Sequence, residues 1–95
     1  MQLGKVVGTL VATMKDPKIK GNTIKIVQMI DLKGKALKDF EVAVDTVGAK
    51  AGDWVITVKS SSARMTRLTE DKPVDDAIVA IIDVIEDNGK IIYQV

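Results

Sequence analysis

Three short stretches carry the residue types from which sites are built. The loop Val47-Gly48-Ala49-Lys50-Ala51-Gly52 has the glycines and the lysine of a phosphate cradle. Such a loop opens directly into a helix, whose free N–H groups point at the anion. Here Asp53-Trp54-Val55-Ile56-Thr57-Val58 follows, which is a strand pattern. Gly48 and Gly52 therefore read as pivots of a tight connection between strands. Ser60-Ser61-Ser62-Ala63-Arg64 sets three hydroxyls beside a cation. A serine nucleophile needs a base within hydrogen-bond reach, yet the chain has no histidine and no Ser-x-x-Lys spacing. Helix capping is the favoured role for these serines. Arg64 has a planar fork that suits a carboxylate or a row of carbonyls, and arginine is enriched at protein interfaces. Asp75-Asp76 falls short of the six to eight oxygens that calcium takes, and reads as a solvated turn.

The rest of the composition removes further classes. With no cysteine there are no disulfides and no thiolate metal sites, which fits a cytoplasmic chain. Without histidine the commonest general base and the commonest transition-metal ligand are gone. Neither a catalytic site nor a metal or cofactor is expected. Fourteen basic against thirteen acidic residues give a net charge of +1, so no counterion-release footprint for nucleic acid and no attraction to an anionic membrane is expected. Phe40, Trp54 and Tyr93 are the three aromatics and do not cluster in sequence, which argues against a platform for stacking bases. The longest apolar run, 77–82, is too short to span a bilayer, and the N-terminus has no signal-peptide pattern.

The elements that must position these residues are mostly strands. At 95 residues the chain is expected to be a single domain, 1–95. Residues 2–14 alternate around small residues, with Gly4, Val6, Gly8, Leu10, Ala12 and Met14 on one face; glycines inside a strand mark coiling or close backbone approach. A polar loop stopped by Pro17 and Gly21 follows. A second strand over 23–32 puts Ile24, Ile26 and Ile30 on one side and Val27 and Met29 on the other. Lys33-Gly34-Lys35 is a turn. Strands are predicted over 40–45 and 53–59, the latter with Trp54, Ile56 and Val58 in register. A short helix or helical turn is predicted over 60–67. A fifth strand over 77–86 leads through Asp87-Asn88-Gly89, a strong hairpin signal, into a last strand over 90–95. The sum is a mainly β chain of five or six short strands with little helix, which suggests a small barrel.

From 78 to 85 only Asp83 is polar, so both faces of the fifth strand are apolar. A one-layer barrel should turn polar residues outward on alternate positions. Either the chain's own hairpin or helix covers the strand, or another subunit does. Ile81 and Ile82 are the candidates for that covered surface.

Val42-Ala43-Val44-Asp45-Thr46-Val47-Gly48-Ala49, then Gly52-Asp53-Trp54-Val55, then Ser61-Ser62-Ala63-Arg64 resembles the signature of bacterial microcompartment vertex proteins. The opening Leu3-Gly4-Lys5-Val6-Val7-Gly8-Thr9-Leu10 is similar to that family's first strand, and Ala80-Ile81-Ile82-Asp83 to its last core strand. Lys50 and Ser60 stand where the family usually has glycine. The resemblance implies a mainly all-β fold, a five-stranded OB-like barrel with one short helix and a C-terminal hairpin. It implies a homo-oligomer, a pentamer, at the fivefold corners of a microcompartment shell whose facets are hexameric shell proteins, with no nucleic-acid or membrane partner. Gly48, Gly52, Ser61, Ser62, Arg64, Ile81 and Ile82 are the expected interface or family-motif residues. An OB-like binding module for nucleic acid or a small ligand is the alternative, and an enzyme ranks third.

Overall fold

The structure is a computed structural model that describes residues 1–11, 23–59 and 76–95. Seven strands make up most of these: β1 (Gln2–Leu10), β2 (Thr23–Ile30), β3 (Ala36–Asp45), β4 (Trp54–Lys59), β5 (Asp76–Ile81), β6 (Val84–Asp87) and β7 (Lys90–Gln94). The first five form a closed barrel in the order β1-β2-β3-β5-β4, and β4 pairs back onto β1. Closure leaves the sheet no free edge for stray pairing. Neighbours are antiparallel except β3 and β5, which run parallel over Val44↔Ala77 and Asp45↔Ile78. β6 and β7 form a separate two-stranded hairpin. The helix predicted over 60–67, and Ser61, Ser62 and Arg64 with it, lie outside the described residues, as do residues 12–22.

Strand alternation fills the barrel. Val6, Val27, Met29, Ala43, Val55 and Ile78 point inward, joined by Ala49 from the loop before β4. Of the two faces predicted for β2, that of Val27 and Met29 turns in, and Ile24 and Ile26 lie half-buried outside. β1 passes so close to β2 that a Cβ on Gly4 would lie 2.3 Å from Val27 Cγ1. The glycine inside this strand is there for close approach. A bulge between Val6 and Gly8 then shifts the register, and Leu10, predicted to share a face with the buried Val6, is exposed.

β3 begins at Ala36, earlier than the predicted 40. Residues 36–40 are exposed and carry no alternation to read. They are held instead by pairing to β2 and by Gln28, whose Nε2 donates to Leu37 O at 2.7 Å and Asp39 O at 3.1 Å where the register slips. The predicted turn at 33–35 is closed by Asp31, whose Oδ1 accepts from the backbone N–H of Lys33 and of Lys35, both at 2.9 Å.

The fifth strand differs from the single run predicted over 77–86. It ends at Ile81, and a new strand starts at Val84. The cause is the length of its partner: β4 begins at Trp54, and the Ile82 N–H donates to Trp54 O at 2.8 Å as the last rung. Beyond it no barrel strand remains to pair with. The chain turns away and pairs with its own C-terminus, through an Asn88-Gly89 turn with both residues at positive φ (52° and 77°), the geometry such a dipeptide favours.

Candidate subunit interface

At one end of the barrel a buried carboxylate meets an exposed ammonium. Glu41 is buried on β3, its carboxylate paired with the Lys59 ammonium and accepting from Thr57 Oγ1 at 3.3 Å. Alternation on β3 and β4 turns Glu41 and Thr57 inward, and an unpaired carboxylate there would be costly. Lys59 has its pKa raised, first by the hydrogen bond to Glu41; desolvation opposes this, and the charges of Glu41, Asp76 and Asp39 add to the rise. A lysine that works as base or nucleophile needs its pKa lowered. Lys59 is shifted the other way, and its role is to neutralise Glu41. Among the described residues no group of three acidic side chains, histidines or cysteines is placed to hold a metal ion.

The loop carrying Gly48 and Gly52 caps the barrel. Ala49 is buried in the core, and Thr46 Oγ1 donates to Ile78 O at 2.6 Å. Asp45 Oδ1 accepts from the N–H groups of Val47 and Gly48, both at 3.0 Å, and Asp53 Oδ2 accepts from Lys50 N at 2.8 Å. Gly52 N donates to Val6 O at 2.8 Å. The amides of Val47, Gly48, Lys50 and Gly52 are thus committed to the chain's own acceptors, and the loop leads into β4. Gly48 and Gly52 take left-handed backbone (φ 75° and 94°) with open space beyond each. They are pivots of a strand connection.

The outer surface is where the apolar surplus lies. Val44, Val58 and Ala77 form a buried cluster outside the barrel, with Val79 against it. The doubly apolar β5 is therefore partly covered by its own chain, with Ile78 inside and Ala77 outside. Ile81 is half-buried and packs on the barrel core. Ile82 turns out into an open groove of about 290 Å³ that it shares with Met1, Leu3, Leu32, Ile56 and Ile85. Of the two adjacent isoleucines singled out from sequence, both half-buried, one thus packs on the core and the other lines the groove. The groove runs to the root of the hairpin, which is tied to the barrel by the stacking of Tyr93 on Trp54, ring centroids 3.8 Å apart. Val84, Ile91 and Ile92 remain exposed on it.

A second apolar surface lies on the other side of the barrel. Phe40 and Val42 on β3 are both more than half exposed, and the outer side chain of Ile26 on β2 lies opposite Val42, with Ile24 next along the strand. Sequence reading missed Phe40 and Leu32 as surface residues. The signal at Phe40 was an aromatic between Asp39 and Glu41, with Val42 two positions on; Leu32 carried none.

A small closed barrel with a packed apolar core and two apolar outer surfaces is of the class that works by meeting other chains. Residues 1–83 match the family model described as "Ethanolamine utilisation protein EutN/carboxysome", and the chain belongs to that family. The carboxysome shell vertex protein CcmL of Nostoc sp. is 44% identical over 95 residues, covering 99% of this chain and 94% of its own. Its solved structure matches with a TM-score of 0.92 at 43% identity, covering 99% of each chain. The bacterial microcompartment shell vertex protein EutN of Salmonella typhimurium is 34% identical over 94 residues, covering 99% of this chain and 95% of its own. The pentameric microcompartment shell protein GrpN of Rhodospirillum rubrum matches with a TM-score of 0.81 at 38% identity, covering 92% of this chain and 99% of its own. The family is one of structural shell vertex proteins and not of enzymes. The resemblance carried by the motifs at 42–49, 52–55 and 61–64 is borne out.

Proposed function

We propose that this chain is a shell subunit that assembles into a cyclic homopentamer and caps the fivefold vertices of a bacterial microcompartment, with no turnover of its own. The observation that carries this is the match to vertex proteins over nearly the full length of both chains. The barrel is read as OB-like, with residues 1–95 as one vertex-protein domain. The mechanism is geometric. Flat hexagonal tiling cannot close, and fivefold insertions supply the curvature, so the partners are hexameric shell proteins tiling the facets. A cyclic ring needs a heterologous contact, one patch meeting a different patch on the neighbour. The two unlike apolar surfaces on opposite sides of the barrel support that requirement. The position of Ile82 in the groove supports assigning it to the contact. Ser61, Ser62 and Arg64 are assigned to it from the family motif, with Gly48 and Gly52 shaping the adjoining loop and Ile81 anchoring β5 beneath.

Removing the chain from a cell that makes its cognate compartment tests the role. Electron microscopy of that strain should show elongated or unsealed shells, while the enclosed enzymes keep full activity in lysate. Normal closed polyhedra, with no second vertex protein encoded, would refute the vertex role.

A further inference from the structure

Of the three aromatics, Trp54 and Tyr93 are stacked on each other. Phe40 has no such partner and is 62% exposed, on the outer face of a strand whose inward neighbours Glu41 and Ala43 are buried. A phenylalanine this exposed in the middle of a barrel strand gains nothing for the protomer's own stability. Val42, two residues on and on the same face, is 51% exposed. Phe40 and Val42 together form an apolar ridge on β3.

Across the barrel lies an open apolar groove. In the strand order β1-β2-β3-β5-β4, β3 is separated from β1 by β2 and from β4 by β5. The groove lined by Met1, Leu3, Leu32, Ile56, Ile82 and Ile85 opens on the β1–β4 side. Its volume is about 290 Å³. A benzene ring is held by a dry apolar cavity of about 150 Å³, so the groove has room for one phenyl ring and a neighbouring aliphatic side chain. A ridge and a groove that match in size and character, on opposite sides of one chain, cannot meet within it. They can meet between copies, head to tail.

We infer that Phe40 of one copy seats in the Leu3–Leu32–Ile56–Ile82 groove of the next, with Val42 beside it, and that this aromatic anchor is the central contact of the ring. The inference deepens the pentamer reading and rests on it. Aromatic anchors in apolar pockets at the centre of an interface carry a large share of binding energy. The surrounding groove residues act by excluding water.

Two measurements on the full chain test this. In the first, Phe40→Ala is compared with wild type by native mass spectrometry across a dilution series. The substitution truncates an exposed side chain, so the protomer should keep its far-ultraviolet circular dichroism and its Trp54 emission. The dissociation midpoint of the ring should move to at least roughly thirtyfold higher concentration, the lower limit for an interface hot spot. In the second, the absence of cysteine from the natural chain makes disulfide trapping unambiguous. Phe40→Cys and Leu32→Cys chains, mixed and oxidised, should give a cross-linked heterodimer. The double variant Phe40→Cys/Leu32→Cys should give a covalent ladder, and each single variant should stay monomeric on a denaturing gel. A wild-type ring that forms normally, with no cross-link and an unshifted Phe40→Ala midpoint, would overturn the inference and leave the pentamer reading intact. A wild-type chain that stays monomeric would sink both. A Phe40→Ala ring of unchanged stability that no longer co-assembles with shell tiles would move Phe40 to a tile contact and also overturn the inference.

Discussion

Adding one methyl group to Gly4 should destabilise the fold, and the clash responsible can be named. A Cβ at this position would lie 2.3 Å from Val27 Cγ1, 2.9 Å from Met29 Cε and 3.2 Å from the Gln28 carbonyl oxygen. Non-bonded carbons rest at about 3.5–4.0 Å, so the Val27 methyl would have to retreat by more than about 1 Å. It has nowhere to go, because Val27 is fully buried among Val6, Val55 and Ile78. The Met29 methyl ends a flexible side chain and can move, and the carbonyl needs only a few tenths of an ångström. Overpacking of this kind costs about 1–3 kcal/mol. Against it, replacing glycine inside a strand recovers about 0.5–1 kcal/mol of backbone entropy. The clash wins, and Gly4→Ala should be less stable by about 1–2 kcal/mol. At roughly 4–8 °C per kcal/mol for a domain of this size, the melting temperature should fall by roughly 4–16 °C. Val27→Ala removes the clashing methyl and costs about 2 kcal/mol by itself through the cavity it leaves. In that background Gly4→Ala should cost nothing or stabilise, a coupling of about 1–3 kcal/mol. Urea unfolding of the four chains at one fixed protomer concentration measures the cycle with the mass-action contribution of assembly held in common. Effects that add to within about 0.5 kcal/mol would refute the steric explanation.

Gly34→Ala should lower stability by about 1–3 kcal/mol: its Cβ would lie 2.6 Å from Trp54 Cζ2 in a backbone at φ +84°, and a shift in Trp54 emission on displacement from Tyr93 checks the cause. The Lys59–Glu41 pair predicts an alkaline effect with a definite sign. The folded-state pKa of Lys59 is raised above 10.5, so its contribution is fully present below 10.5 and is lost as pH rises through the folded value; Lys59→Met should be less stable at neutral pH and should lack this alkaline component in pH-dependent melts, and identical alkaline profiles would contradict the pairing. Arg64→Ala should weaken the ring more than the fold, by about 2–5 kcal/mol of assembly free energy, and an unchanged dissociation constant beside an unchanged melting temperature would make Arg64 an ordinary surface residue.

What could be read from the residues depended on whether the signal was local. Alternation around Val27 and Met29 gave β2 its two faces, though which one turned in depended on its barrel neighbours. The Asn88-Gly89 dipeptide fixed the hairpin because its turn geometry needs positive φ at both positions. The run of short strands pointed to a small barrel, but the strand order and the parallel β3–β5 pair come from contacts far apart in sequence, which strand patterns do not encode. The end of β5 at Ile81 was missed for the same reason, since it is set by where β4 begins. An apolar run such as 78–85 looks continuous whether it crosses one sheet or leaves it for another. The groove was invisible because Leu3, Leu32, Ile56 and Ile82 come from four separate stretches. The fivefold reading came from the family motif alone; strand periodicity carries no information about ring number.

Native mass spectrometry of the purified, unmodified chain tests the central claim most directly. A vertex subunit should give one dominant species at five times the protomer mass at micromolar concentration. That species should persist as salt is raised, because an interface built on apolar side chains is not screened. A monomer throughout, or a ring of six, would contradict the assignment to a fivefold corner.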